Sequence, residues 1–199
     1  MKKKPTVTIL SSTSDTAAAI VKQLADIFGS LVDFEVFDYR AGDGSHSLTS
    51  LELALITSPH IYDQAIRHIP PGSETITAAR TVNIETIHTL YDLPAGADVL
   101  LVNNVEETTT QAISQLLAVG VTHLVYHPYY PGIPAYREGC PYAVSFDEID
   151  LIPPAMYERV INLGSRPLDL VTIIDLATRI GVYERIKTVL SALYLKPFI

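Results

Sequence analysis

Apolar residues in this chain recur in two rhythms, one of period two and one of three to four, and short polar stretches mark each change between them. Thr6 to Ser11 alternates β-branched and apolar positions, which predicts a strand. The Ser-Ser-Thr-Ser-Asp run that follows supplies capping residues, and Ile20, Val21, Leu24, Ile27, Phe28 and Leu31 then give a helix one apolar stripe that ends near Gly29. Asp33 to Tyr39 predicts a second strand, residues 41–50 an exposed loop, and Leu51 to Ile56 a short buried strand. His60 to Ile69 has helical spacing before Pro70-Pro71-Gly72, and Ser73 to Ala79 predicts a further strand.

After a short helix at Asn83 to Leu90 and a turn at Pro94-Ala-Gly96, the pattern restarts with Asp98 to Val102 as a buried strand. Asn104 and Glu107 have capping-box spacing, and Ala112, Ile113, Leu116 and Leu117 predict the core face of a helix that ends at Gly120. Strands are expected at Val121 to Tyr126, Tyr142 to Phe146 and Val160 to Leu163, and closing helices at Leu168 to Ile180 and Tyr183 to Leu195. Strands alternating with helices at this spacing predict an α/β fold of two Rossmann-like lobes, each a parallel sheet flanked by helices, with a crevice between them. The expected division is residues 1–95 for the first lobe and 96–199 for the second with its closing helices. The hinge would lie at Pro94 to Gly96. A single doubly wound sheet is the competing topology.

Composition narrows what such a fold does. The 199 residues include 48% hydrophobic and 18% charged positions, the balance of a packed globular chain. A net charge of -8 argues against direct contact with nucleic acid, which needs a basic face. The basic triplet Lys2 to Lys4 reads as a solvated end. The single cysteine, Cys140, excludes an internal disulfide and a multi-thiolate zinc site, and no stretch reaches the ~20 apolar residues of a membrane span, so the expected location is the cytoplasm.

In open parallel sheets, ligands bind beyond the carboxyl ends of the strands. That directs attention to Ser11, Ser12, Ser14, Ser58, Arg80, Thr81, Asn103, Asn104, Tyr129 and Tyr130 as candidate ligand-binding residues. Their hydroxyls, amides and guanidinium suit a small polar or anionic molecule, and an arginine holds a carboxylate or phosphate through two parallel hydrogen bonds. The competing readings are structural: helix caps for the serines, a surface ion pair for Arg80, a strand end and a cap for Asn103 and Asn104, and a rigid turn for the tyrosines.

Signatures of catalysis are missing. The chain has no phosphate loop, dinucleotide fingerprint or G-x-S-x-G elbow. Its six histidines have no recognised metal-ligand spacing, and no base is assignable to Cys140. No catalytic residue, cofactor or metal is therefore expected.

Arg80-Thr-Val-Asn-Ile84, Leu101-Val-Asn-Asn104, His127-Pro-Tyr-Tyr-Pro-Gly132 and Val160-Ile-Asn-Leu-Gly-Ser-Arg-Pro-Leu-Asp169 resemble, in that order, segments of the N-terminal sensory region of bacterial sigma-54-interacting transcriptional regulators. More distantly, the layout is similar to the receptor domain of the propionate catabolism activator. The resemblance implies two α/β lobes around a cleft, a small-molecule effector, and downstream PAS and ATPase domains in a longer regulator. Two other classes stay open, an enzyme of the chelatase or racemase kind on duplicated α/β lobes, and a dimerisation or interaction module that works through the closing helices. A homodimer is compatible with any of the three.

Overall fold

A computed structural model describes residues 4–38, 48 and 51–194. In chain order its elements begin with β1 (Thr6–Ser11), α1 (Ser14–Phe28), β2 (Asp33–Asp38), β3 (Leu53–Ile56), α2 (Tyr62–Ala65), β4 (Glu74–Thr77) and α3 (Ile84–Ile87). They continue with β5 (Asp98–Val102), α4 (Glu106–Ala118), β6 (Val125–Tyr129), β7 (Tyr142–Ser145), β8 (Arg159–Asn162), α5 (Leu170–Arg179) and α6 (Tyr183–Tyr194). Apart from Leu48, the expected loop at 41–50 lies outside the described residues, as do Lys2, Lys3, Tyr39 and Leu195.

The strands form two four-stranded, wholly parallel sheets, ordered β2-β1-β3-β4 and β6-β5-β7-β8. The two-lobe α/β architecture is therefore as expected, and the single continuous sheet is excluded. The division of the chain falls elsewhere than expected. One compact unit comprises Met1–Arg80 with Pro167–Ile199, and the other Thr81–Arg166. Packing explains both corrections. Val82, Ile87, Leu90 and Leu93 join Val99 and Leu101 in one core, so Pro94 to Gly96 is a turn inside the second unit. Leu168, Ile173, Leu176, Ala177, Ile186 and Leu190 join Val7, Ile9, Leu53 and Leu55 in the other, so the closing helices return to the first unit.

In the first unit, β1 and β3 are central and almost wholly buried, which accounts for their short apolar runs, whereas β2 is an exposed edge. The register pairs Val7 with Leu53 and Ile9 with Leu55, and Leu55 in turn with Ile76. This face is covered by α1, α5 and α6. Leu10, Ala54 and Ile56 point the other way, onto Ile61, Ala65 and Ile69. The expected helix at 60–69 is a single α-helical turn between two 3-10 turns, opened by Pro59 after Ser58 accepts a bond from the His60 N–H. In α1, Thr13 is the cap, accepting from Thr16 N–H, and Gly29 ends the helix at φ 54°.

The chain leaves and re-enters this unit at one place. Arg80 and Leu168 form an antiparallel bridge, Asp169 N–H donates to Ala79 O at 2.9 Å, and Ala79 N–H donates to Thr172 Oγ1 at 3.0 Å. Gln23 of α1 grips the returning strand, accepting from Leu168 N–H at 2.8 Å and donating to Leu168 O at 3.0 Å. Asp169 then caps α5 through Thr172 N–H.

In the second unit, Val99 and Leu101 of β5 face α4, whose Ala112 and Leu116 are fully buried. Leu100 and Val102 face the opposite way, toward Cys140, Tyr129, Leu151, Ile152 and Tyr157. The strand expected at Val121 to Tyr126 lies later, at β6, because Gly120 (φ 94°) and the bond from Val121 N–H to Leu116 O extend the turn after α4.

Gln23→Ala leaves two half-buried backbone groups of Leu168 without their partner and is expected to lower stability by about 1–3 kcal/mol in urea denaturation. Val171→Ala, at a side chain that is 73% exposed, is the control and should change stability by less than about 0.5 kcal/mol. In the same chain, amides of α5 and α6 should exchange as slowly as those of α1, since all three helices share one core. Rapid exchange confined to α5 and α6 would contradict that packing.

Candidate functional site

In each sheet the chain turns outward in opposite directions from two adjacent central strands, β1 and β3 in the first and β5 and β7 in the second. The carboxyl ends of such pairs are where α/β sheets present a ligand crevice. The candidate residues divide between the units: Ser11, Ser12, Ser14, Ser58 and Arg80 belong to the first, and Thr81, Asn103, Asn104, Tyr129 and Tyr130 to the second.

At the edge of the first sheet most hydroxyls are occupied locally. Ser11 Oγ donates to Thr13 O at 3.0 Å and accepts from Thr13 N–H, Ser14 Oγ donates to Asp15, and Ser58 Oγ accepts from His60 N–H. Ser12 is half-buried. Arg80 is half-buried too, at the bridge to Leu168 where the chain leaves the unit, and Thr81 begins the next. For Ser11, Ser14 and Ser58 the turn-and-cap reading accounts for the side chain.

The carboxyl edge of the second sheet is different. Asn103 extends the ladder beyond β5, its N–H donating to Tyr129 O at 3.0 Å. Strand alternation therefore continues the Val99 and Leu101 face to Asn103, placing its side chain beside the first turn of α4. That side chain is 6% exposed. Its Oδ1 accepts from Asn104 N–H at 2.9 Å, which fixes the amide orientation, while its Nδ2 has no acceptor among the described residues. A buried donor left in this state costs about 1–3 kcal/mol. The expected capping box at the start of α4 does not form. Asn104 Oδ1 accepts from Thr108 Oγ1, and Val105 occupies the cap position with no side-chain bond to the helix. The first N–H groups of α4 thus keep their free donors.

Across from Asn103, β7 ends at Ser145, fully buried, whose Oγ accepts from Glu148 N–H at 2.8 Å. Asp147 follows at φ 65°, the one non-glycine residue with positive φ among those described. Asn162 at the end of β8 holds it there, accepting from Asp147 N–H and Gly164 N–H and donating to Asp147 Oδ1 at 2.8 Å. Such backbone conformations cost of order 1–3 kcal/mol and cluster at ligand clamps and switches. Desolvation first, and then the Glu106 carboxylate of α4, push the Tyr130 phenol above its ordinary value.

Asn103, Asn104 and Tyr130 therefore lie at this edge, while Tyr129 meets Asn103 only through its backbone carbonyl and turns its ring to the Leu100 face. Ser145, Asp147 and Asn162 were not singled out from sequence. Asn162 lies within a segment that carried the family resemblance. The positive φ of Asp147 has no sequence signal, since only the turn after β7 imposes it.

The face of this sheet opposite α4 has loops over it in place of an α-helix. A cavity of about 280 Å³ opens there, lined among others by Leu100, Tyr136, Arg137, Cys140 and Tyr157. Asp98 and His127 occupy the same face and pair at 2.6 Å. Cys140 is 3% exposed, and its thiol donates to Arg137 O. Burial first, and then the Asp98 carboxylate, raise its pKa, with Arg137 offsetting part of the shift. This is the reverse of an activated nucleophile. Among the described residues no group of three or more His, Cys, Asp or Glu is placed to hold a metal, and no helix is long and apolar enough to cross a membrane.

No protein-family model, curated protein or solved structure matches the chain.

Cys140 should react with a disulfide reagent at pH 8 at least tenfold more slowly in the native chain than after unfolding in urea. The folded state holds a proton that the unfolded thiol gives up more readily, so this contribution to stability is complete below the ordinary thiol range and is lost as pH rises through the folded value. Equal rates in native and unfolded chain would contradict the buried thiol. Asn162→Ala removes three hydrogen bonds around Asp147 and is expected to cost about 1–2 kcal/mol in thermal or urea unfolding, the Asp147→Gly change recovering part of that loss by relieving the positive φ.

Proposed function

We propose that this chain is a ligand-sensing regulatory domain of the kind found ahead of the ATPase module in sigma-54-dependent bacterial transcriptional activators, and that it acts by binding a small polar metabolite. The observation that carries this reading is the buried Asn103 amide, whose donors meet no acceptor among the described residues, at the carboxyl edge where the connections from β5 and β7 leave in opposite directions. A donor in that state is stabilised when a ligand oxygen arrives. The positive φ of Asp147 on the adjacent strand end supports a switch at the same edge. The family assignment rests on the ordered segment resemblance, which includes Leu101 to Asn104 and Val160 to Asp169. In that setting the effector is a small molecule, the partners are downstream PAS and ATPase domains and a second copy of the chain, the location is the cytoplasm, and DNA is contacted by another domain.

Binding without turnover fits the chemistry better than an enzyme of the chelatase or racemase kind. The one thiol is buried and raised in pKa, and the His127 and Asp98 pair lies on the face of the sheet away from α4.

A thermal-shift screen of the chain against sugars, sugar phosphates, carboxylic acids and amino acids tests the reading. A ligand at a hundred times its Kd stabilises by about 2.7 kcal/mol, which for a chain of this size raises Tm by roughly 5–10 °C. The stabilising compound should persist unchanged in proton NMR during prolonged incubation. Its consumption by the chain, abolished by Asn103→Ala, would overturn the sensing reading in favour of catalysis.

A further inference from the structure

The donors and the charges at the carboxyl edge of the second sheet together define a ligand class. Two sets of donors lie there: the Asn103 Nδ2, buried and with no acceptor among the described residues, and the first N–H groups of α4, which no described side chain caps. Both call for an oxygen acceptor on the ligand. By itself the helix terminus would favour an anion. The residues around it oppose one. Glu106 and Glu107 occupy the first turn of α4, and Asp147 follows β7. Arg137 lines the cavity over Leu100, and Arg166 is buried against Gln111 and Gln115. A dianion at the α4 N-terminus would meet the Glu106 and Glu107 carboxylates of the same turn.

We propose that Asn103 and the α4 N-terminus seat the carbonyl or carboxylate oxygen of a ligand with no net charge that also carries N–H donors, an amino-acid zwitterion or a primary amide, and that Glu106 with its neighbouring carboxylates selects against phosphate and polycarboxylate ligands. The oxygen accepts from Asn103 Nδ2 and the helix N–H groups. The ammonium or amide N–H groups face the carboxylates. This assignment rests on the sensing reading and narrows its ligand from polar in general to neutral and nitrogen-bearing.

The test is calorimetric titration of the full chain with the common amino acids and their primary amides, and with inorganic phosphate and citrate as the anionic arm. At least one zwitterion or amide should bind, with phosphate and citrate weaker by tenfold or more. Asn103→Asp keeps the acceptor for Asn104 N–H but replaces the donor, and should weaken the bound zwitterion at least tenfold. Asn103→Ala is the companion should the buried carboxylate unfold the chain, which circular dichroism would reveal. Glu106→Gln, at an exposed position, should narrow the gap between citrate and the zwitterion. Tighter binding of phosphate or citrate than of any zwitterion, lost in the Asn103 variants, would overturn the ligand class and leave the sensing reading standing. Zwitterion binding that is unchanged in folded Asn103 variants would overturn the role of Asn103. Binding by no amino acid or amide would also sink the assignment, while the sensing reading itself fails only if the wider metabolite screen is empty as well.

Discussion

The pairing of Ala79 and Arg80 with Leu168 and Asp169, gripped by Gln23, is the contact on which the rest of this chain depends. It brings together backbone from positions almost ninety residues apart, and the intervening Thr81–Arg166 folds as a unit of its own. Closing a loop of that length costs entropy that grows only slowly with length, and a self-sufficient insertion with its ends held side by side reduces the cost further. Once the return is made, Asp169 caps α5 and the closing helices cover the face of the first sheet that carries Val7, Ile9, Leu53 and Leu55. Without them α1 alone would cover that face, and part of its apolar surface would be left to water.

The second unit repeats the strand order of the first but covers its two faces unequally. Its β5 places Val99 and Leu101 under α4 and the segment from Val82 to Leu93, and Leu100 and Val102 under loops rich in proline and tyrosine. Loops cover a sheet less completely than a helix, and the cavity over Leu100 is the consequence. Burial and the Asp98 carboxylate raise the pKa of the thiol at its floor.

The polar investment at the two carboxyl edges also differs. In the first unit Ser11, Ser14 and Ser58 spend their hydroxyls on turns and caps. In the second, Asn104 is drawn to Thr108, Val105 leaves α4 without a side-chain cap, and the buried Asn103 Nδ2 meets no acceptor among the described residues. Stability alone would favour a cap at that place. Its omission next to a buried donor is the feature on which the proposed ligand site rests.

Sequence by itself determined the alternation of strands and helices, the parallel α/β class and the core faces of α1, α4 and α5, because period and capping chemistry are local properties of the chain, while only the structure excluded a single continuous sheet. It also placed Asn103, Asn104, Tyr129 and Tyr130 at strand ends, where a parallel sheet gathers them. The tertiary structure alone decided which helices cover which sheet. Leu168 to Ile180 follows the second sheet in sequence, yet its apolar face fits the first, and no local pattern distinguishes two equally apolar destinations. The same holds for Asp147 and Asn162, whose positive φ and bridging amide arise from β7 and β8 lying side by side. The unmet state of Asn103 likewise depends on what surrounds it in space, since an asparagine after a strand reads identically whether its amide is paired or left open.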